Sequence, residues 1–222
     1  MVINPIAKIY TDFDSKFGIP RQSGLVESLY GKIIFEHEFR SADALRGLDT
    51  FSHIWLIWQF SENQREDFSP TVRPPRLGGN IRMGVWATRS PFRPNNLGLS
   101  CVKIDHINFD SSEGPEIYVH GADLMNGTPI YDIKPYIPYA DCKIDAFEGF
   151  APAPVSFLEV VFENDCQQNF PSEKLGALKD ILSLDPRPHY QSDGRIYGFS
   201  FAGKEIKFRV ENGILYVLSI TA

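Results

Sequence analysis

The sequence predicts a mainly β chain: an antiparallel barrel or sandwich first, then a small α+β unit. Three observations carry this. Up to residue 150 the β-branched and aromatic segments are long, and only one short stretch reads as helix. A composition break follows at Phe150-Ala151-Pro152-Ala153-Pro154. Beyond it, one amphipathic helix and several alternating segments joined by tight turns describe a compact second unit. The expected division is therefore 1–150 and 151–222, in keeping with 222 residues at roughly 150 per domain. Hydrophobic residues at 43% and charged residues at 23% exclude disorder and collagen-like arrays. No apolar run reaches the ~18 residues of a membrane span, and residues 1–18 hold no apolar signal core. A soluble, cytoplasmic protein is expected.

Taken in order, Ile3–Tyr10 reads as a strand and Asp12–Gly24 as a loop bearing Pro20-Arg21-Gln22. Gly31–Phe39 is a second strand. Ser41–Leu48 is a short helix, with Ser41 as N-cap and Gly47 as stop. Phe51–Phe60 is apolar enough for a fully buried strand, although periodicity alone leaves a helix open. Ser69–Gly79 has three prolines and two glycines in eleven residues, an irregular segment of the kind that carries function. Met83–Thr88 and Gly98–Ile107 read as strands around a proline-rich connection. Glu116–Leu124 is another strand, closed by a turn at Asn126-Gly127. Pro135 and Pro138 make Asp132–Tyr139 extended rather than helical. In the second unit Val155–Phe162 is a strand. Ser172–Leu184 is a helix with Leu175, Leu178, Ile181 and Leu182 on one face. Tyr197–Phe201, Ile206–Val210 and Ile214–Ile220 form a meander.

Familiar chemistry is missing from this pattern. Cys101, Cys142 and Cys166 are odd in number, contain no C-x-x-C and read as buried free thiols. The five histidines show no metal-binding spacing, so no metal is expected. There is no glycine-rich dinucleotide or phosphate fingerprint and no nucleophile elbow; Ser90 and Ser100 read as structural hydroxyls. Asp123, Asp132 and Asp141 lie nine residues apart, a spacing that fixes no common face in strands.

Charge is unevenly spread. Phe68–Ile104 contains no acid and six cations: Arg73, Arg76, Arg82, Arg89, Arg93 and Lys103. That window is +6, so against a chain total of −6 the remainder is −12. One basic face on an acidic body suits a polyanion, and arginine suits phosphate. The competing explanation is pairing with carboxylates elsewhere in the fold. Prolines beside these arginines limit the entropy lost on binding. The aromatics Phe51, Trp55, Trp58, Phe60 and Trp86 read mainly as core, with one available to stack on a purine.

Residues 73–100, RPPRLGGNIRMGVWATRSPFRPNNLGLS, with Phe51–Ile57 and GTPIYDIKPY from Gly127, closely resemble the TrmO (YaeB/TsaA-like) family. Pro20-Arg21-Gln22 and Asp185-Pro186-Arg187-Pro188-His189-Tyr190 extend the resemblance over nearly the whole chain. It implies a single-sheet antiparallel β-barrel, homodimeric, that methylates N6 of threonylcarbamoyladenosine beside the tRNA anticodon. The implied cofactor is S-adenosylmethionine, bound without a Rossmann fold. The matching positions imply a cofactor site of Arg21, Gln22, Ser23, Ser61, Glu62, Arg89, Leu99, Asn126, Gly127, Thr128 and Pro129. Asp132 and Tyr136 are candidate proton acceptors beside the substrate's own carboxylate. Arg73, Arg76, Arg82 and Arg93 are expected on the phosphates of the anticodon stem-loop.

Three departures stand out. Ser61 replaces a usual histidine, Asn126 a usual aspartate, and Pro94-Asn95-Asn96 stands for Pro-Asn-Pro. Other readings are an RNA-binding module that has lost catalysis, and a methyltransferase for a small carbamoylated acceptor. In the second unit Arg187, His189 and Arg195 are candidates for tRNA contact or for completing a dimer.

Overall fold

The computed structural model describes residues 2–62, 68–152, 157–187 and 194–222, with Arg76 described in its backbone only. The first part contains β1 (Ala7–Thr11), β2 (Tyr30–Phe35), β3 (His53–Gln59), β4 (Thr71–Val72), β5 (Met83–Gly84), β6 (Leu97–Asn108), β7 (Glu116–His120) and β8 (Thr128–Pro135). Six of these close a barrel in the order β1-β2-β7-β6-β3-β8, and every neighbouring pair is antiparallel. The single-sheet barrel is thus the solution adopted, not a sandwich.

Alternation builds its core. Ile9, Ile33, Ile54, Leu56, Val102, Ile117, Val119 and Ile130 point inward and are essentially inaccessible. The central β3 is buried on one face only. Ile54, Leu56 and Trp58 face in, while His53, Trp55, Ile57 and Gln59 form a half-covered outer face. The expectation of burial on both faces therefore gives way to period two. Where β3 meets β8 the register slips between Ile57 and Trp58, leaving Tyr131 unpaired, and its hydroxyl donates to Gln59 Oε1 at 2.6 Å.

Several expected elements are shorter or different. Strand β2 stops at Phe35, and Ser41–Leu48 holds a 3₁₀ turn at Ala42–Leu45 in which Ser41 makes no side-chain cap. Met83–Thr88 is strand for two residues only, followed by a 3₁₀ turn at Val85–Ala87. Strand β7 ends at His120 because Gly121 takes φ +75. The Asp132–Tyr139 stretch is not extended throughout: helix α1 (Pro138–Asp141) begins at Pro138. Proline in a first helical turn loses no bond, which the simple rule against it overlooked.

The second unit contains β9 (Glu159–Phe162), α2 (Leu175–Ser183), β10 (Ile196–Phe201), β11 (Lys204–Glu211) and β12 (Ile214–Thr221). The sheet order is β10-β11-β12-β9, with β9 parallel to β12. Ala202-Gly203 and Asn212-Gly213 both have positive φ, the primed hairpin turns that match strand twist. Leu178, Ile181 and Leu182 of helix α2 share one buried core with Phe199, Phe201 and Phe208 of the sheet. Phe13, Val26 and Leu29 of the loops around β1 and β2 enter this second core. Each large apolar side chain buried there contributes roughly 1.5–3 kcal/mol, so the loop after β1 is held from behind.

Candidate active site

A cleft of about 540 Å³ opens at the barrel end where β3 leaves and β6 enters. Its volume lies within the roughly 300–1,000 Å³ of small-molecule sites. Its floor is a chain of hydrogen bonds across two strands. Trp58 Nε1 donates to Ser100 Oγ at 3.0 Å, and Ser100 Oγ donates to Asp123 Oδ1 at 2.6 Å. Strand alternation turns Trp58 and Ser100 inward, and Gly98 makes room for the indole. A Cβ at Gly98 would lie 2.3 Å from Trp58 Cε2.

Asp123 is only partly covered because the cleft opens over it, yet protein packs closely around its carboxyl. Burial pushes that carboxyl up to about 6. Ser100, the backbone amides of Asp123 and Ser23, and the charge of Arg89 all pull the other way.

The walls are loops tied to one another. Arg89 Nη1 donates to Gln22 Oε1, Gln22 Nε2 to the carbonyl of Arg21, and Arg21 Nη2 to the carbonyl of Arg187 at 3.4 Å. Asn96 Nδ2 donates to the carbonyl of Phe60 at 3.0 Å and its Oδ1 accepts from Gln59 Nε2 at 3.1 Å. At the mouth, Lys16 Nζ donates to the carbonyl of Glu62 at 3.0 Å and lies 3.7 Å from its carboxylate.

Arg21, Gln22, Ser61, Glu62, Arg89, Leu99 and Thr128 all line this cleft. Ser23 stands behind the wall, its Oγ accepting the amide of Cys101 at 3.1 Å. Asn126, Gly127 and Pro129 lie off the lining. Asn126 accepts from the amide of Thr11 at 3.3 Å and donates through Nδ2 to Asp14 at 3.4 Å. A carboxylate at 126 would face Asp14 with like charge, which gives the asparagine a local reason. Asp132 and Tyr136 do not line the cleft. Asp132 pairs with Lys134 at 2.8 Å, and Tyr136 sits at the other end of β8 with its ring 5.7 Å from that of Trp55.

Among the described residues, no ion pair joins Arg73, Arg82, Arg89 or Arg93 to a carboxylate. Arg73 and Arg82 are exposed on the β4–β5 ribbon, where Arg82 Nη1 donates to Thr71 Oγ1 at 2.9 Å. Arg93 lines the cleft and donates from Nη1 to the carbonyls of Val85 (3.1 Å) and Thr88 (2.7 Å). The Arg76 side chain and His189 lie outside the described residues. Arg187 is chelated by Asp185, at 2.9 and 3.0 Å.

The aromatic set divides. Trp58 is buried against Phe60, their centroids 4.3 Å apart, but Trp86 is 65% exposed and Phe51 is exposed as well. The core assignment therefore fails for Trp86, which lies under the Arg93 guanidinium at 5.0 Å and stacks with exposed Phe68 at 6.1 Å. Of the three free cysteines only Cys166 is buried; Cys101 is half-covered and Cys142 exposed. Among the described residues no group of three or more His, Cys, Asp or Glu is placed to hold a metal.

Lys16 and Asp123 also line the cleft; neither was a candidate site residue from sequence, where Asp123 was weighed only by its spacing from Asp132 and Asp141. For Asp123 a signal existed: an acid between two apolar residues, Ala122 and Leu124, in the stretch expected as strand.

Two family models cover the chain: the tRNA-methyltransferase O N-terminal domain over residues 8–142 and the TrmO C-terminal domain over 152–222. A tRNA (adenine(37)-N6)-methyltransferase of Escherichia coli K12 is 36% identical across 97% of this chain and 95% of its own length. One from Eikenella corrodens is 41% identical across 78% and 98%. A putative S-adenosylmethionine-dependent methyltransferase, RcsF, of Pseudomonas aeruginosa PAO1 is 38% identical across 88% and 87%. A crystal structure of TrmO from Pseudomonas aeruginosa superposes with TM-score 0.81 at 29% identity, covering 100% of this chain and 98% of that one. The chain belongs to the tRNA-methyltransferase O family.

Proposed function

We propose that this protein transfers a methyl group from S-adenosylmethionine to N6 of threonylcarbamoyladenosine, beside the anticodon of tRNA, as a cytoplasmic homodimer. The observation that carries this is a cleft with cations at its mouth and, at its floor, a partly covered carboxylate closely packed by protein. Through Arg93 it adjoins the acid-free, arginine-rich segment. The donor set suits the cofactor. Arg21 and Arg89 offer cations to its carboxylate, and Leu97, Leu99 and Met125 offer apolar surface to its adenosine. Gln22, Ser61, Glu62 and Thr128 supply polar edges on the same lining. Ser23 and the turn at Asn126, Gly127 and Pro129 brace that wall from outside.

S-adenosylmethionine supplies, when bound, an electrophilic methyl group on a sulfonium. The chain's own work is alignment: the residues of the cleft would hold donor and acceptor together, and positioning of that kind lowers barriers by roughly 7–11 kcal/mol. Arg73, Arg76, Arg82 and Arg93 take the phosphates of the anticodon stem-loop. The exposed Trp86–Phe68 pair offers a face to an unpaired base of the loop. Residues 1–150 form the unit that houses the cleft, and residues 151–222 brace its 12–24 loop.

The test is methylation of two tRNA pools, with and without threonylcarbamoyladenosine, followed by nucleoside mass spectrometry. One added methyl on threonylcarbamoyladenosine only, lost in Arg89→Ala, is the expected result. No added methyl in either pool would return the chain to the RNA-binding reading.

A further inference from the structure

Methylation of N6 requires that its proton leave, because the attached carbamoyl group withdraws the nitrogen's lone pair. The acids considered from sequence do not meet this need: Asp132 faces out of the barrel beside Lys134, and Tyr136 lies at its far end. Two carboxylates line the cleft. Glu62 is exposed at the mouth and paired with Lys16. Asp123 is at the floor, oriented from two strands by the Trp58–Ser100 chain.

Resting on the function proposed above, we propose that Asp123 is the proton acceptor of the methyl transfer. Its carboxylate takes the N6 proton. The N6 electron pair then forms the new N–C bond while the S–C bond breaks, its pair remaining on sulfur. The products are the methylated base, a neutral thioether and a protonated Asp123, which returns its proton to solvent. Nothing else is consumed.

Asp123 suits the task in strength as well as place. With its carboxyl pushed up to about 6, it is a stronger base than an ordinary carboxylate and still mainly ionised near neutrality. The groups acting on it come from every side. Ser100 of β6 donates to it and is itself held by Trp58 of β3; the Ser23 amide approaches from the 12–24 loop and the Arg89 charge from the 88–96 loop. Each of these favours the ionised form and leaves burial as the reason the carboxyl titrates high. A carboxylate in this position also faces a cationic donor, so the experiment has to separate proton transfer from donor binding.

Wild type, Asp123→Asn and Ser100→Ala are compared as full chains. Single-turnover methylation of threonylcarbamoyladenosine-bearing tRNA is measured from pH 5 to 9, and S-adenosylmethionine binding is measured by calorimetry. Asp123→Asn is expected to slow the step by roughly a hundredfold or more. It keeps the calorimetric Kd within about threefold and removes the acidic limb seen in wild type near pH 6. Ser100→Ala removes a donor that favours the ionised form, so its limb moves to higher pH.

A rate for Asp123→Asn within a few fold of wild type overturns the proposal. So does a Kd raised more than about tenfold with full rate at saturating donor, since Asp123 would then be a cation site. If Asp123→Asn does not fold, the Ser100→Ala limb decides: an unmoved limb overturns the proposal. A wild type that leaves threonylcarbamoyladenosine unmethylated defeats the proposed function itself, before either variant is compared.

Discussion

A carboxyl group held near 6 at the bottom of a cleft costs the fold something. Well below 3.8 Asp123 is neutral in both folded and unfolded chains and the burial penalty vanishes. Between 3.8, its ordinary value, and about 6 the folded chain holds the proton more tightly. Above that both states are ionised and the folded one bears the full penalty, about 3 kcal/mol at most for a shift of this size. Asp123→Asn should therefore stabilise the protein more at pH 8 than at pH 4, read as the change in urea midpoint at the two values. Equal changes at both would mean the carboxyl is not shifted. At Gly98 a substitution acts in the opposite direction, lowering stability at any pH. Gly98→Ala drives Trp58 off Ser100, so a loss of about 1–3 kcal/mol is expected in denaturant melts. The same change should weaken S-adenosylmethionine binding in calorimetry. The role of Gly98 was not legible in the sequence, and that of Asp123 only as an acid set between two apolar residues. Three aspartates nine apart have no relative placement until it is known that one follows β7, one lies on β8 and one in α1, and Gly98 reads as a strand's first residue until the indole behind it is seen.

The strands were the most legible elements because period-two alternation is local: Ile54, Leu56 and Trp58 announce an inner face whatever closes around them. What alternation omits is where backbone geometry ends a strand. Gly121 at φ +75 cuts β7 short, and the residues after Gly84 turn into 3₁₀ geometry although Val85-Trp86-Ala87 looks like a strand. That turn carries Trp86 outward, so an aromatic that hydrophobicity assigns to the core is presented to solvent beside Arg93. The acid-free segment was legible as charge but not as shape. Its ribbon β4–β5 holds Arg73 and Arg82 apart from the cleft, while Arg93 belongs to both. Arg73→Ala and Arg82→Ala should each lower the slope of log affinity for tRNA against log salt by about one, leaving donor binding intact. Trp86→Ala should weaken tRNA binding with little change in that slope, since stacking releases no counterions. An unchanged slope in the arginine variants would remove the ribbon from the RNA interface.

At the scale of the molecule, two cores share one loop: Phe13, Phe17 and Ile19 pack into the second core while Pro20, Arg21 and Gln22 turn toward the cleft. The second unit is thereby coupled to the site without supplying much of its lining. The chain between them is arranged differently. Helix α1 is fastened to the barrel, with Asp141 Oδ2 accepting from Trp55 Nε1 at 3.0 Å and from the amide of Ile137 at 2.9 Å. Past that anchor Ile144 is 98% exposed and Phe147 is wholly so, and Tyr139 within α1 is 89% exposed. Three large apolar side chains on one short arm are hard to reconcile with an isolated chain, since burying each contributes roughly 1.5–3 kcal/mol. A second copy of the chain covering this arm is consistent with the proposed homodimer. Light scattering should then give twice the 25.1 kDa chain mass. Ile144→Ser combined with Phe147→Ser should return it to the single-chain value, with the circular dichroism spectrum unchanged, because both side chains lie outside either core. A wild type that runs as a single chain at micromolar concentration would rule the dimer out. A double variant that stays dimeric would move the interface elsewhere, and the exposed half of Leu99, at the cleft rim, would be the next surface to alter.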